Sequence, residues 1–90
     1  MPWNWVILRL NSPPPAQLNR LIHDAADAHG ITVRNVFFDA GKTDAYTLLK
    51  GPIGAQALRG FLEDVGRPDG VDVGDTRILL DLNEAEQAIR

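Results

Sequence analysis

The sequence predicts an α+β domain in which two helices cover one face of a four-stranded antiparallel sheet. Three observations carry this. Four segments are rich in β-branched, leucine or aromatic residues, the mark of strands. Two segments with apolar residues at helical spacing separate the first strand from the second and the third from the fourth. The connection between the second and third strands is short enough for a hairpin.

Trp3 to Leu10 reads as the first strand, stopped by Asn11-Ser12-Pro13-Pro14-Pro15. Proline cannot sit inside a helix but fits its first turn, so Ser12 is a candidate N-cap for a helix over residues 14–29. Leu18, Leu21, Ile22, Ala25 and Ala26 form its apolar stripe, and Gly30 suits the left-handed residue that closes it. Ile31 to Asp39 is the second strand, Ala40-Gly41-Lys42-Thr43 a turn, and Asp44 to Lys50 the third strand. Gly51-Pro52 is expected to break the chain before a second helix over residues 53–65, carried by Ala57, Leu58, Phe61, Leu62 and Val65. Gly60 costs that helix about 1 kcal/mol against alanine, which points to a close helix-to-sheet approach. Residues 66–76, with three glycines, a proline and three aspartates, read as a loop. Arg77 to Leu82 is the fourth strand, and Asn83 with Glu86 three positions on resembles the capped start of a short terminal helix. The order β-α-β-β-α-β, with right-handed crossovers, is the ferredoxin-like sandwich, one domain over residues 1–90.

Two helices leave the second sheet face uncovered. Alternation in the first strand places Val6, Leu8 and Leu10 on one side and Trp3, Trp5 and Ile7 on the other, and both sets are apolar. Such a face is expected to meet a second copy of the chain, through Trp3, Trp5, Ile7, Leu48 and Leu79. The other covers considered are a ligand, for which Trp5, Asp44 and Tyr46 are the candidate lining residues, and the terminal helix folding back.

Composition narrows the functions. The net charge is −3, with five basic and four acidic residues in the first fifty and four and eight in the rest, so no basic face for nucleic acid is expected. Cysteine is absent, which removes disulfides, thiolate metal sites and cysteine nucleophiles. No apolar run approaches a membrane span, and the first residues lack the basic and apolar segments of a signal peptide; a cytoplasmic protein is expected.

Residues 30–50, from Gly30 through Phe38, Gly41 and Asp44 to Lys50, resemble the hairpin of GYD-domain proteins, where an aromatic residue precedes a Gly-x-x-Asp turn. That family has tyrosine between glycine and aspartate where this chain has Lys42-Thr43. The resemblance implies a dimeric α/β barrel formed sheet to sheet. A second stretch, Val6 to Gly30 followed by Ile31-Thr32-Val33, resembles ACT domains, which bind amino acids, with Asn11-Ser12-Pro13-Pro14 in place of their Asp-x-Pro-Gly turn.

Motifs with chemistry are few. Gly41-Lys42-Thr43 lacks the first glycine of a phosphate loop, which would fall at Val36, and it joins strands instead of opening a helix. His23 and Asp27, with His29 near, have a metal-sharing spacing but too few companions; no metal and no cofactor are expected. Asp69, Asp72 and Asp75 recur every third residue, unlike the alternate ligands of a calcium loop. A free prolyl amine at Pro2 could serve as a general base, as in the tautomerase family, with Arg9 or Arg34 holding a carboxylate substrate, but many proteins begin Met-Pro for no chemical reason and no such activity is expected. The expected function is a homo-oligomeric binding or accessory module. The alternative is a cofactor-independent small enzyme, oxygenase- or isomerase-like, with a pocket between sheet and helix.

Overall fold

A computed structural model describes residues 2–11, 15–41, 44–67 and 71–89. The chain runs β1 (Trp3–Asn11), α1 (Pro15–Ala28), β2 (Thr32–Phe38), β3 (Asp44–Ile53), α2 (Ala55–Gly66), β4 (Asp72–Leu79) and α3 (Leu82–Ile89). The sheet order is β2-β3-β1-β4 with every neighbouring pair antiparallel. This is the ferredoxin-like arrangement expected from the element order. The candidate cap Ser12 and the turn residues Lys42 and Thr43 lie outside the described residues.

The core lies between the sheet and the two long helices. Val6, Leu8 and Leu10 of β1, with Ala45 and Leu49 of β3, meet Leu18 and Ile22 of α1 and Leu58, Phe61 and Val65 of α2. Each fully buried large side chain contributes about 1.5–3 kcal/mol relative to exposure. Thr47 shares this layer, opposite Leu8, and its buried hydroxyl has no partner among the described residues. The glycines expected to turn the chain do so: Gly30 has φ 67° and Gly41 φ 84°, and the Asp39 amide donates to the Asp44 carbonyl across the hairpin at 3.0 Å.

Several boundaries differ from expectation. Gly51-Pro52 does not end β3. The strand passes through this cis peptide to Ile53, which is buried and pairs with Trp3. Between the pairs Trp5–Lys50 and Trp3–Ile53, β3 spends one more residue than β1, and a proline is tolerated at such a bulge because no ladder donor is needed there. The strand backbones meet closely at this point: a Cβ on Gly51 would fall against the Trp3 carbonyl oxygen.

β4 begins at Asp72, five residues before the expected Arg77, and ends at Leu79, with Leu82 already in α3. It is an edge strand, so its glycine and aspartates can face water while the backbone pairs with β1. Asp72 and Asp75 are therefore strand residues, and Asp69 lies outside the described residues. The cap of α3 is Asp81, not Asn83. The Glu84 amide donates to Asp81 Oδ1 at 2.8 Å and the Asp81 amide to Glu84 Oε1 at 3.4 Å, a reciprocal capping box.

Gly60 marks a close approach, but to α1 and not to the sheet. The His29 imidazole, just past the end of α1, lies against the bare Gly60 Cα, and its Nε2 donates to Asp64 Oδ2 at 2.7 Å. Arg67 reaches the other oxygen of Asp64 at 3.4 Å.

Candidate functional site

The second face of the sheet is the surface that the fold leaves open. α3 does not cover it: this helix packs weakly on the domain, Leu82 is 74% exposed, and among the described residues the side-chain tie between helix and sheet is Asn4 Nδ2 donating to Glu84 Oε2 at 3.0 Å.

Cross-strand register builds the face row by row. Trp5 stands between Lys50 of β3 and Leu79 of β4. Ile7 stands between Leu48 and Arg77, and Arg9 beside Tyr46, which in turn faces Phe37 of β2. Asn11 stands between Asp44 and Asp72. The middle rows are thus apolar and aromatic on β3 and at Ile7, with Arg9 and Arg77 set among them, and charge also stands at both ends of the strands. The Lys50 ammonium lies 5.7 Å from the centroid of the Trp5 ring, close enough for a cation–π attraction that steadies the half-buried indole.

Three adjoining depressions run along β1. The largest, about 410 Å³, is bounded by Ile7, Arg9, Tyr46, Asp75, Arg77 and Leu79. Leu79 separates it from a second depression beside Trp5, Leu48 and Leu80. Arg9 separates it from a third, lined by Asn11, Asp44, Asp72 and Gly74.

The expected ligand residues Trp5, Tyr46 and Asp44 all stand on this face, one in each depression, so they do not converge on a single pocket. The expected interface residues Trp5, Ile7, Leu48 and Leu79 share the face. Trp3 does not join them as alternation predicted. It packs against the core and, with Ala55, Leu58 and Leu62, borders a shallow hollow on the α2 side. The cause is the bulge at Gly51-Pro52, which breaks the register between Trp5 and Trp3.

Sequence reasoning named Arg9, with Arg34, as a group able to hold a carboxylate, and Asp75 as one of a loop's aspartates, but placed neither on this face; Arg77 was read only as the start of the fourth strand. Arg9 continues the alternation Trp5, Ile7, Arg9. Arg77 and Asp75 needed the β1–β4 register, which is irregular: from Leu8–Thr76 to Leu10–Val73, β4 spends one more residue than β1. The bulge sets Gly74 beside Arg9, and a Cβ there would lie 2.9 Å from Arg9 Nε and 3.1 Å from its Nη2. Glycine therefore leaves a seat for the guanidinium against the β4 backbone.

Elsewhere His23 is exposed on α1, away from the His29–Asp64 pair. Among the described residues no group of three or more histidine, aspartate or glutamate side chains is placed to hold a metal ion. Nor, among the described residues, is any helix long and apolar enough to cross a membrane. No protein-family model matches the chain, and no curated protein is significantly similar to it.

Proposed function

We propose that the chain is a homo-oligomeric binding or accessory module of the cytoplasm whose copies associate through the open sheet face. The observation that carries this is the row of apolar and aromatic side chains, Trp5, Ile7, Tyr46, Leu48 and Leu79, on a face that neither long helix nor α3 covers. In water such a patch invites association.

A second copy fits better than an unrelated partner on two grounds. The first is area. Four strands at about 4.8 Å spacing and roughly seven residues at about 3.4 Å give ~450 Å² in plane, and side-chain relief raises it toward the ~800 Å² per partner of an ordinary stable interface. The second is charge. Lys50 stands at one end of the β3 row and Asp44 at the other, beside Asn11 and Asp72. A two-fold axis lying in the interface and crossing the strands lays the basic end of each copy over the acidic end of the other. Sheet-to-sheet pairing of this kind is also what the GYD-like hairpin implies.

Light scattering across a micromolar dilution series tests the reading. The expected mass is about 20 kDa, twice the 9.9 kDa of one chain, falling only at high dilution. A constant single-chain mass throughout would refute it.

A further inference from the structure

We infer that the depression bounded by Arg9, Tyr46 and Arg77 is a binding site for a small monocarboxylic acid with an apolar body. The site lies within one copy and does not require the oligomer. A second copy seated on the face would close it.

Its polar groups come from three adjacent strands. Ile7 of β1 pairs with Arg77 of β4, and Arg9 lies two residues further along β1, so the two arginines are diagonal neighbours across the strand pair. Diagonal positions are about 7–8 Å apart at the backbone, a span that two guanidinium side chains close easily around one carboxylate. Tyr46, opposite Arg9 on β3, brings a phenol that donates to an anion. Ile7 and Leu79 supply apolar contact for the rest of a ligand. The volume, about 410 Å³, is within the ordinary range for small-molecule sites.

Two features distinguish this from a chance pair of surface arginines. First, the ion pairs among the described residues are His29–Asp64 and Arg67–Asp64, so Arg9 and Arg77 are in none of them although Asp75 borders the same depression. Second, Arg9 has a seat: the β4 bulge and the missing side chain of Gly74 let its guanidinium lie against the β4 backbone, which narrows the conformations it gives up on binding. Asp75 sets the ligand's charge. Two arginines and one aspartate leave a single net positive charge around the depression, which a monoanion neutralises, whereas a dianion such as a phosphate monoester leaves one charge uncompensated and costs more to desolvate.

The test is a titration of the full chain with benzoate, phenylacetate, benzamide and phenyl phosphate. The readout is the fluorescence of Trp5, which shares Leu79 with the site, in a Trp3→Phe background. Saturable binding of both carboxylates is expected, at least about tenfold tighter than benzamide, because charge-assisted bidentate bonds are the strong ones. Arg77→Gln should weaken benzoate about tenfold or more. Arg9→Lys, which keeps the charge but loses the fork, and Gly74→Ala, which keeps every charge but fills the seat, should each weaken it severalfold while circular dichroism stays unchanged. Benzamide binding as tightly as benzoate, phenyl phosphate binding more tightly than either acid, an Arg77→Gln variant of unchanged affinity, or no saturable binding of either acid would overturn the inference. Light scattering on the same samples separates it from the oligomer reading, since a monomer that binds benzoate sinks only the latter.

Discussion

Replacing Gly60 by alanine should destabilise the protein, although alanine is the better helix former. In an open helix interior the change gains about 1 kcal/mol. At Gly60 the new Cβ would run into the His29 ring, 2.7 Å from Nδ1 and 3.0 Å from Nε2, so the imidazole must leave. Its bond to Asp64, 2.7 Å long, goes with it. Both partners are about a third exposed or less, and with that much solvent the bond contributes about 1 kcal/mol. Uncovering the apolar part of a ring that is roughly three-quarters buried, some ~40 Å², costs about another 1 kcal/mol. The two losses outweigh the gain, and the net effect is a destabilisation of about 1 kcal/mol. With His29→Ala in place the obstruction and the bond are already gone, so Gly60→Ala should then stabilise by about 1 kcal/mol. The cycle therefore predicts a change of sign and a coupling near 2 kcal/mol. Urea denaturation of the four proteins at one fixed protomer concentration reads it, the concentration being held because association raises apparent stability. A Gly60→Ala variant that stabilises the wild-type background, or has the same effect in both, would refute the reasoning.

Three further outcomes follow from the same structure. Gly51→Ala should cost about 2 kcal/mol or more in unfolding free energy read by denaturation, because the obstacle is the Trp3 backbone carbonyl and backbone cannot swing aside as the His29 ring can; a neutral result would contradict the closeness of the strands there. Thr47→Val should stabilise by about 1 kcal/mol, since it removes a buried hydroxyl without a described partner while keeping the shape, and a loss of stability on melting would mean that the hydroxyl is satisfied. Asp81→Ala removes the cap of a weakly packed helix, so amide exchange over residues 82–88 should quicken about fivefold, as a cap of about 1 kcal/mol implies, while the global unfolding midpoint barely moves; a large global shift would show α3 integrated with the core.

The order of elements was legible because its signals are local. The 3.6-residue stripe of Leu18, Leu21 and Ile22, the glycines at 30 and 41, and the short hairpin connection each depend on a few consecutive residues. What escaped depends on residues far apart in the chain. His29 and Asp64 meet across 35 positions, and nothing near either residue announces the other. β4 was shortened by its own composition, because aspartate and glycine weigh toward a loop until pairing with β1 is known. Trp3 was assigned to the open face by an alternation that holds only while register is regular, and the bulge beside Gly51 breaks it. The same holds for the candidate site: Trp5, Ile7 and Tyr46 follow from period two, whereas the seat of Arg9 on Gly74 arises from an irregularity in pairing.

The central claim, that the open face joins two copies, is tested most directly by one charged substitution at its middle row. Light scattering on wild type, Ile7→Lys and the control Arg59→Glu, which lies on exposed α2, makes the comparison. The account predicts about 20 kDa for wild type and control and the single-chain 9.9 kDa for Ile7→Lys, with unchanged circular dichroism. Equal masses for all three proteins, whether single or double, would contradict it.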